Sequence, residues 1–393
     1  MQINVNAFPS TDLLVFSHLR WDFVFQRPQH LLTRMAEHRR VFFIEEPMFT
    51  GQPRLEILER EHGVKVIVPQ LPVGLSEEEV NTQLRLLIST LIQTQDVQNY
   101  TSWYYTPMAL PFTRQLKPEV TIYDCMDELS LFKGAPPKLL ELEAELLQTA
   151  DVVYTGGQSL WEAKKNRHSN CHAFPSSIDG PHFRTARQRG EEPKDQKHIP
   201  SPRLGFYGVV DERFDIELVR GVAALRPDWH LVIIGPVVKI DPAHLPKAAN
   251  IHYLGMKSYK ELPAYLAGWD LAFLPFARNE STRFISPTKT PEYLAAGKPV
   301  VSTSIRDVVR PYATERLVHI ADTAEEFVKA AELAMHEAKD SGDWLKRVDA
   351  FLSTMSWDQT ALRMARQEAL AKSAKAEAAK LVRQVTTESR LGA

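Results

Sequence analysis

Short apolar runs alternate with longer amphipathic stretches along this chain, stop at one polar break, and then start again. Apolar runs fall at 13–17, 41–44, 64–68, 103–105, 120–123, 152–155 and 171–174. Helical patterns lie between them at 28–37, 76–94, 138–149 and 159–165. Apolar runs of strand length with no polar alternation predict strands buried on both faces, and helices between them predict parallel crossovers. Residues 185–203, TARQRGEEPKDQKHIPSPR, then bring charges, a glycine and three prolines, with Ile199 the one sizeable apolar residue. That composition predicts a linker or exposed crossover. Beyond it, strands are predicted at 204–207, 231–234, 251–254, 271–274, 300–303 and 317–320, with helices at 214–225, 259–267, 291–296 and 324–336.

Each half is long enough for its own core, and 393 residues exceed what one core usually holds. The predicted fold class is therefore α/β: two doubly wound, Rossmann-like domains facing each other across a cleft. Their expected bounds are 1–184 and 203–357. A tail at 358–393, rich in Ala, Lys, Glu and Arg and helical from about 360 to 385, is expected to cross back to the first domain. Ligands of such sheets bind outside the carboxyl ends of the strands, so two facing ends would make a deep pocket.

Composition excludes several classes. Hydrophobic residues make up 44% and charged residues 24%, as in ordinary globular proteins, and the formal net charge of −2 lacks the basic footprint of a nucleic-acid binder. Thirteen histidines show no metal-ligand spacing, so no metal site is expected. Two cysteines, Cys125 and Cys171, make no disulfide framework and fit a reducing compartment. The opening MQINVNAFPSTD has no basic patch followed by an apolar run, and no stretch reaches spanning length. A cytoplasmic location is expected, with at most peripheral contact at the inner face of a membrane through basic residues of the tail such as Arg363, Arg366, Lys372 and Lys375.

The segment FISPTKTPEYLAAGKPVVS, from Phe284 to Ser302, is the strongest chemical signal. A polar turn with Ser286, Thr288 and Lys289 enters a short helix through Thr290, Pro291 and Glu292, and a strand follows. Backbone donors, small hydroxyls and one ammonium at a helix start suit a diphosphate, and Glu292 could accept hydrogen bonds from sugar hydroxyls. The ordinary alternative is a strand–helix–strand connection with a proline start and a glycine stop.

Other candidates cluster at predicted strand ends. In LGFYGVVDERFD, Gly208 would let backbone approach a phosphate, and Arg213 would face the same mouth as Lys289. In IHYLGMK, Gly255 turns the chain and leaves the backbone of Met256 and Lys257 free for the edge of a base. In FSHLRWDFVFQRPQH, His18 could reach the cleft, and Arg20 and Arg27 lie near a strand end. The aromatics Trp21, Phe23 and Phe25 read as a satellite core. In VTIYDCMDELSLF, Asp124 and Asp127 follow a strand, as a catalytic base or a sugar-hydroxyl acceptor would; they could equally cap a turn.

Together these segments resemble the GT-B glycosyltransferases, in particular the family-4-like bacterial enzymes of surface-polysaccharide assembly such as teichuronic-acid and exopolysaccharide glycosyltransferases. The resemblance covers nearly the whole chain. It implies a transferase acting on a nucleoside-diphosphate sugar as co-substrate, with a sugar or lipid-linked saccharide as acceptor and no resident cofactor. Gly208, Arg213, Gly255, Met256, Lys257, Ser286, Thr288, Lys289, Thr290 and Glu292 would bind the donor, with Glu292 reaching the ribose. Arg20, Arg27 and Asp124 would serve the acceptor side, and His18, Asp127 and Lys289 the chemistry. The chain departs from the family where Phe284 stands eight positions before Glu292, in place of a glutamate that contacts the donor sugar, and where Ser176 and Ser177 replace an Asn-Gly turn. A sugar-nucleotide 2-epimerase and a non-catalytic sugar-nucleotide-binding subunit are the alternative readings.

Overall fold

A computed structural model describes residues 8–188, 190–340 and 342–391. The first lobe contains β1 (Asp12–Phe16), β2 (Val41–Ile44), β3 (Met48–Phe49), β4 (Arg54–Glu59), β5 (Val64–Leu71), β6 (Tyr100–Tyr104), β7 (Val120–Cys125), β8 (Val152–Thr155) and β9 (Cys171–Ala173). Its helices are α1 (Arg27–Ala36), α2 (Glu77–Thr94), α3 (Leu110–Thr113), α4 (Leu139–Thr149), α5 (Gln158–Lys164) and α6 (Gly180–Arg184). The second lobe contains β10 (Arg203–Tyr207), β11 (His230–Ile234), β12 (Ile251–Gly255), β13 (Leu271–Leu274), β14 (Val300–Ser302) and β15 (His319–Ile320). Its helices are α7 (Ile216–Leu225), α8 (Leu262–Ala267), α9 (Lys289–Ala295), α10 (Arg306–Val308), α11 (Ala324–Asp340) and α12 (Gly342–Leu352), and α13 (Trp357–Leu391) closes the chain.

The sheets run β3-β5-β2-β1-β6-β7-β8-β9 and β12-β11-β10-β13-β14-β15. Every pairing on these paths is parallel, and among the described strands only β4 runs antiparallel, along the outer edge of β5. Both sheets wind outwards from their first strand in two directions. Strand order therefore reverses between β1 and β6 and again between β10 and β13, and each reversal opens a crevice at the strands' carboxyl ends. The doubly wound α/β class expected from the sequence is the one observed.

Local chemistry explains where the site-bearing elements start. α1 opens with Pro28 in its first turn, and the Gln26 amide donates to the Gln29 side chain at 3.0 Å, satisfying one free end group. α7 is capped by Asp215, whose carboxylate accepts from the Leu218 amide at 2.9 Å. α13 packs on the first lobe: Trp357, Ala361, Met364 and Ala371 are buried in the cluster that holds Leu13, Val41 and Val152. Glu368 lies in the same interface, paired at both oxygens with Arg39 (2.7 and 2.8 Å) and accepting from Thr101 at 2.6 Å.

Residues 185–203 are a correction to the expected linker. The segment packs on the second lobe. Gln196 and Ile199 are buried. Gln196 accepts from the Trp269 indole at 2.8 Å and donates to the Tyr265 carbonyl at 3.0 Å. Asp195 pairs with Lys257 at 2.6 Å and accepts from the Tyr265 hydroxyl. Its polar composition reads as exposed because the partners that satisfy it lie some seventy residues downstream.

Candidate active site

The two carboxyl-end crevices face each other and enclose a cavity of about 640 Å³. The lobes touch at several points around it. The Ser176 hydroxyl donates to the Ser286 carbonyl at 2.8 Å, and the Ser159 amide donates to Asp307 at 3.0 Å. Phe25 of the first lobe stacks on Tyr259 of the second with ring centres 4.4 Å apart.

Lys289 sits at the start of α9 on the second-lobe wall. Its stem crosses the face of Gly208, where a Cβ would stand 2.2 Å from Lys289 Cε and 2.8 Å from Nζ. Gly208 also has φ +147°, which L side chains rarely adopt. The glycine expected to admit a phosphate thus first admits the ammonium that would bind one. Burial lowers the affinity of Lys289 for its proton, and Arg213 acts in the same direction. Arg213 is gripped by Asp211 (Nε to Oδ1 3.0 Å, Nη2 to Oδ2 2.7 Å) and lies over the Phe132 ring of the first lobe at 5.3 Å. Arg27 completes a set of three cations from both lobes lining one cavity.

Two carboxylates face these cations. Glu292 is buried and accepts from the Tyr207 hydroxyl. Burial pushes its pKa up to about 7, against the pull of Tyr207 and Lys289. Asp127 is raised by burial and held back by Arg213 and Arg27. Because the folded-state value of Glu292 exceeds its unfolded one, the stability tied to this group is fully present below about 4.5 and lost as pH rises through about 7. Glu292→Gln cannot ionise, so its denaturation midpoint should gain on wild type between roughly pH 5 and pH 8. Parallel midpoints over that range would show that ionised Glu292 costs nothing.

The other expected residues sort by position. Met256, Lys257, Ser286 and Thr288 line the cavity. The Lys257 ammonium is engaged with Asp195, which leaves its backbone for a ligand. Gly255 stands just outside the lining, with φ +69°, and its carbonyl accepts from the Gly235 amide at 2.9 Å. Thr290 is fully buried beneath the surface of the cavity and does not line it.

Three residues are corrected. Arg20 is a strut outside the cavity, bonded to Glu45 at 2.8 Å and the Glu46 carbonyl at 2.7 Å. Asp124 has no exposed surface, and its oxygens hold Arg27 (3.2 and 2.9 Å), while Arg27 also donates to the Phe174 carbonyl at 2.7 Å. Asp124 thus fixes the arginine and does not face a ligand. His18 does not line the cavity. Its Nδ1 is buried without a partner, and burial with Lys239 lowers its pKa to about 4.

Sequence reasoning missed Tyr207, Tyr259 and Asp211, and it misplaced two aromatics. Trp21 packs edge-on to Phe43 in the core as expected, but Phe23 and Phe25 remain exposed along the cavity wall. The signal for Tyr207 was its place as the last residue of a strand leading into a glycine turn. Phe284 does not reach the cavity. It packs against the first-lobe cluster of Phe16 and Tyr104, under the Arg283 guanidinium. Among the described residues no group of three His, Cys, Asp or Glu side chains is placed to hold a metal ion.

Two facing Rossmann-like lobes with a phosphate-suited cavity between them define a GT-B protein. Residues 201–337, most of the second lobe, match the family model described as glycosyl transferases group 1. The second lobe is thus similar to the group 1 glycosyl transferases, and the chain is similar to a bacterial polysaccharide enzyme. One such relative is the putative teichuronic acid biosynthesis glycosyltransferase TuaH of Bacillus subtilis (strain 168). It is 25% identical over 264 residues, which is 61% of this chain and 64% of that protein. The alignment thus spans less than two thirds of the relative's length. Among solved structures, sucrose-phosphate synthase from Thermosynechococcus elongatus superposes with a TM-score of 0.69 at 14% identity, covering 96% of this chain and all of that one. HepE of Anabaena, solved with UDP, gives 0.64 at 13% identity, covering 93% of this chain and all of that one. At these identities the likeness speaks for the fold alone.

Proposed function

We propose that this chain moves a sugar from a nucleoside-diphosphate donor to a hydroxyl acceptor, a sugar or lipid-linked saccharide, in the synthesis of a surface polysaccharide or related glycoconjugate. The convergence of Lys289, Arg213 and Arg27 on one enclosed cavity carries the reading. In this transfer the acceptor oxygen bonds to the anomeric carbon, and the bond from that carbon to the diphosphate breaks. The electron pair leaves with the diphosphate, so negative charge grows on its oxygens. Preorganised cations in a site shielded from water stabilise that charge most. Lys289 and Arg213 stand where the leaving group would lie if the donor follows the second-lobe crevice. Asp127, raised by burial, is the carboxylate placed to take the acceptor proton. Glu292, with one oxygen held by Tyr207, is left to bind a hydroxyl of the donor.

Closure of the lobes excludes water and so suppresses hydrolysis of the donor. The reading uses no resident cofactor and assigns charge neutralisation to the protein's own cations. It places the protein in the cytoplasm or at the inner face of a membrane. Among the described residues no helix is long and apolar enough to cross one.

Donors are found by thermal shift against UDP, GDP, dTDP and ADP sugars, since a ligand of the native state raises its stability. The stabilising donor is then incubated with and without an acceptor panel. The proposal expects a glycosylated product that requires the acceptor. An epimerised sugar nucleotide formed from donor alone would support the epimerase instead. Binding without turnover on any acceptor would support a binding subunit.

A further inference from the structure

We propose that the hollow between α5, β9 and α13 is a second ligand site, for an anionic saccharide. It encloses about 470 Å³ and shares no lining residue with the interlobe cavity. Lys372 pairs with Glu119, and Lys375 pairs with Asp151 at 2.8 Å. Arg363 and Arg366, one turn apart, have no ion-pair partner among the described residues, and both line the hollow. Among the described residues no aspartate or glutamate lines it. Two guanidinium groups facing a wall without carboxylates select for an anion, and their planar forks match carboxylate and phosphate.

The rest of the lining asks for more than a bare ion. The Arg363 guanidinium lies over the Phe174 ring at 5.3 Å, and Trp161 and Leu370 add apolar surface. Gln158, Gln367 and His172 offer planar polar groups for hydroxyls. Burial and the neighbouring His168 and Arg363 lower the pKa of His172, and its Nε2 is held by the Asn170 side-chain oxygen at 2.7 Å, which leaves Nδ1 for a ligand. Apolar faces, hydroxyl partners and a paired cation together describe a sugar ring bearing a carboxylate or phosphate. The Phe174 carbonyl also accepts from Arg27 of the interlobe cavity, so the two hollows stand on either side of one strand end. The choice of a saccharide rests on the transferase reading, since an enzyme that extends a saccharide must handle chain beyond the reacting unit.

The test is calorimetric titration of the full chain with its nucleoside diphosphate at saturation. The probes are a glucuronate-containing disaccharide, glucose 6-phosphate, maltose and inorganic phosphate. At least one charged saccharide should bind about tenfold tighter than maltose. Arg363→Gln with Arg366→Gln should reduce it to the maltose level without changing nucleotide affinity, and Trp161→Ala should weaken both saccharides. The preferred charged probe identifies the anion. Equal binding of charged and neutral saccharides, an unaffected double variant, or inorganic phosphate binding as tightly as glucose 6-phosphate would overturn the proposal. Arginine-dependent binding in a protein that transfers no sugar would sink the transferase reading and leave this site standing. Transfer without such binding would do the reverse.

Discussion

Lys289→Ala should lower turnover by about 100- to 1000-fold, the scale for losing one preorganised donor at a charge that grows in the transition state. The ammonium lies in an enclosed site, so water is poorly placed to replace it, and its loss should exceed that of any exposed charge. Both kcat and kcat/KM should fall, because the contact strengthens as the diphosphate leaves. Gly208→Ala should resemble it while leaving the lysine in place. The added methyl would need the space now filled by Lys289 Cε, in a backbone conformation that alanine rarely adopts. Near-normal transfer by Lys289→Ala, with its folded state intact by circular dichroism, would remove this residue from the chemistry.

Glu368→Ala should be the most destabilising of the ion-pair variants. The Arg39 and Glu368 side chains are 0% and 1% exposed. Removing one partner strands the other charge in the interior, at a cost of about 3–5 kcal/mol. The loss should appear in the unfolding of the first lobe, since the pair fastens α13 to the β1–β6 region through Thr101. Glu217→Ala is the control. Its pair with Arg220 is exposed (76% and 53%) and should contribute less than about 1 kcal/mol. Equal midpoint shifts for the two variants in urea would contradict the burial argument.

Much of the fold is legible in the sequence, for a physical reason. β2, β8 and β13 are buried along their whole length, so each is an unbroken apolar run that stops where burial stops. β4 was not legible. RLEILE is mostly exposed and is a strand because β5 offers it an edge. α12 is not among the expected helices, although GDWLKRVDAFL carries a helical apolar stripe, with Trp344, Val348 and Leu352 buried. The tail helix was recognised from its composition.

The site divides in the same way. Gly208, Lys289 and Glu292, which line the cavity, stand out in the sequence because each sits in a local strand–turn–helix pattern whose chemistry is visible in a dozen residues. The pairs that tune them were not. Tyr207 reaches Glu292 across 85 residues, and Arg27 reaches Asp124 across 97. No short-range signal reports such a contact. That is why Asp124 read as a ligand-facing acid when it is the arginine's anchor. Phe284 was noticed as a departure, but its role as a peg in the first lobe depends on how the two lobes close.

The central claim is that the cavity between the lobes grips a pyrophosphate through Lys289. Calorimetric titration of wild type and Lys289→Ala with free UDP, GDP, dTDP and ADP tests it most directly. At least one nucleoside diphosphate should bind the wild type, and the variant should bind that one at least about tenfold more weakly. Equal affinity in both proteins, or no binding of any of the four, would contradict it.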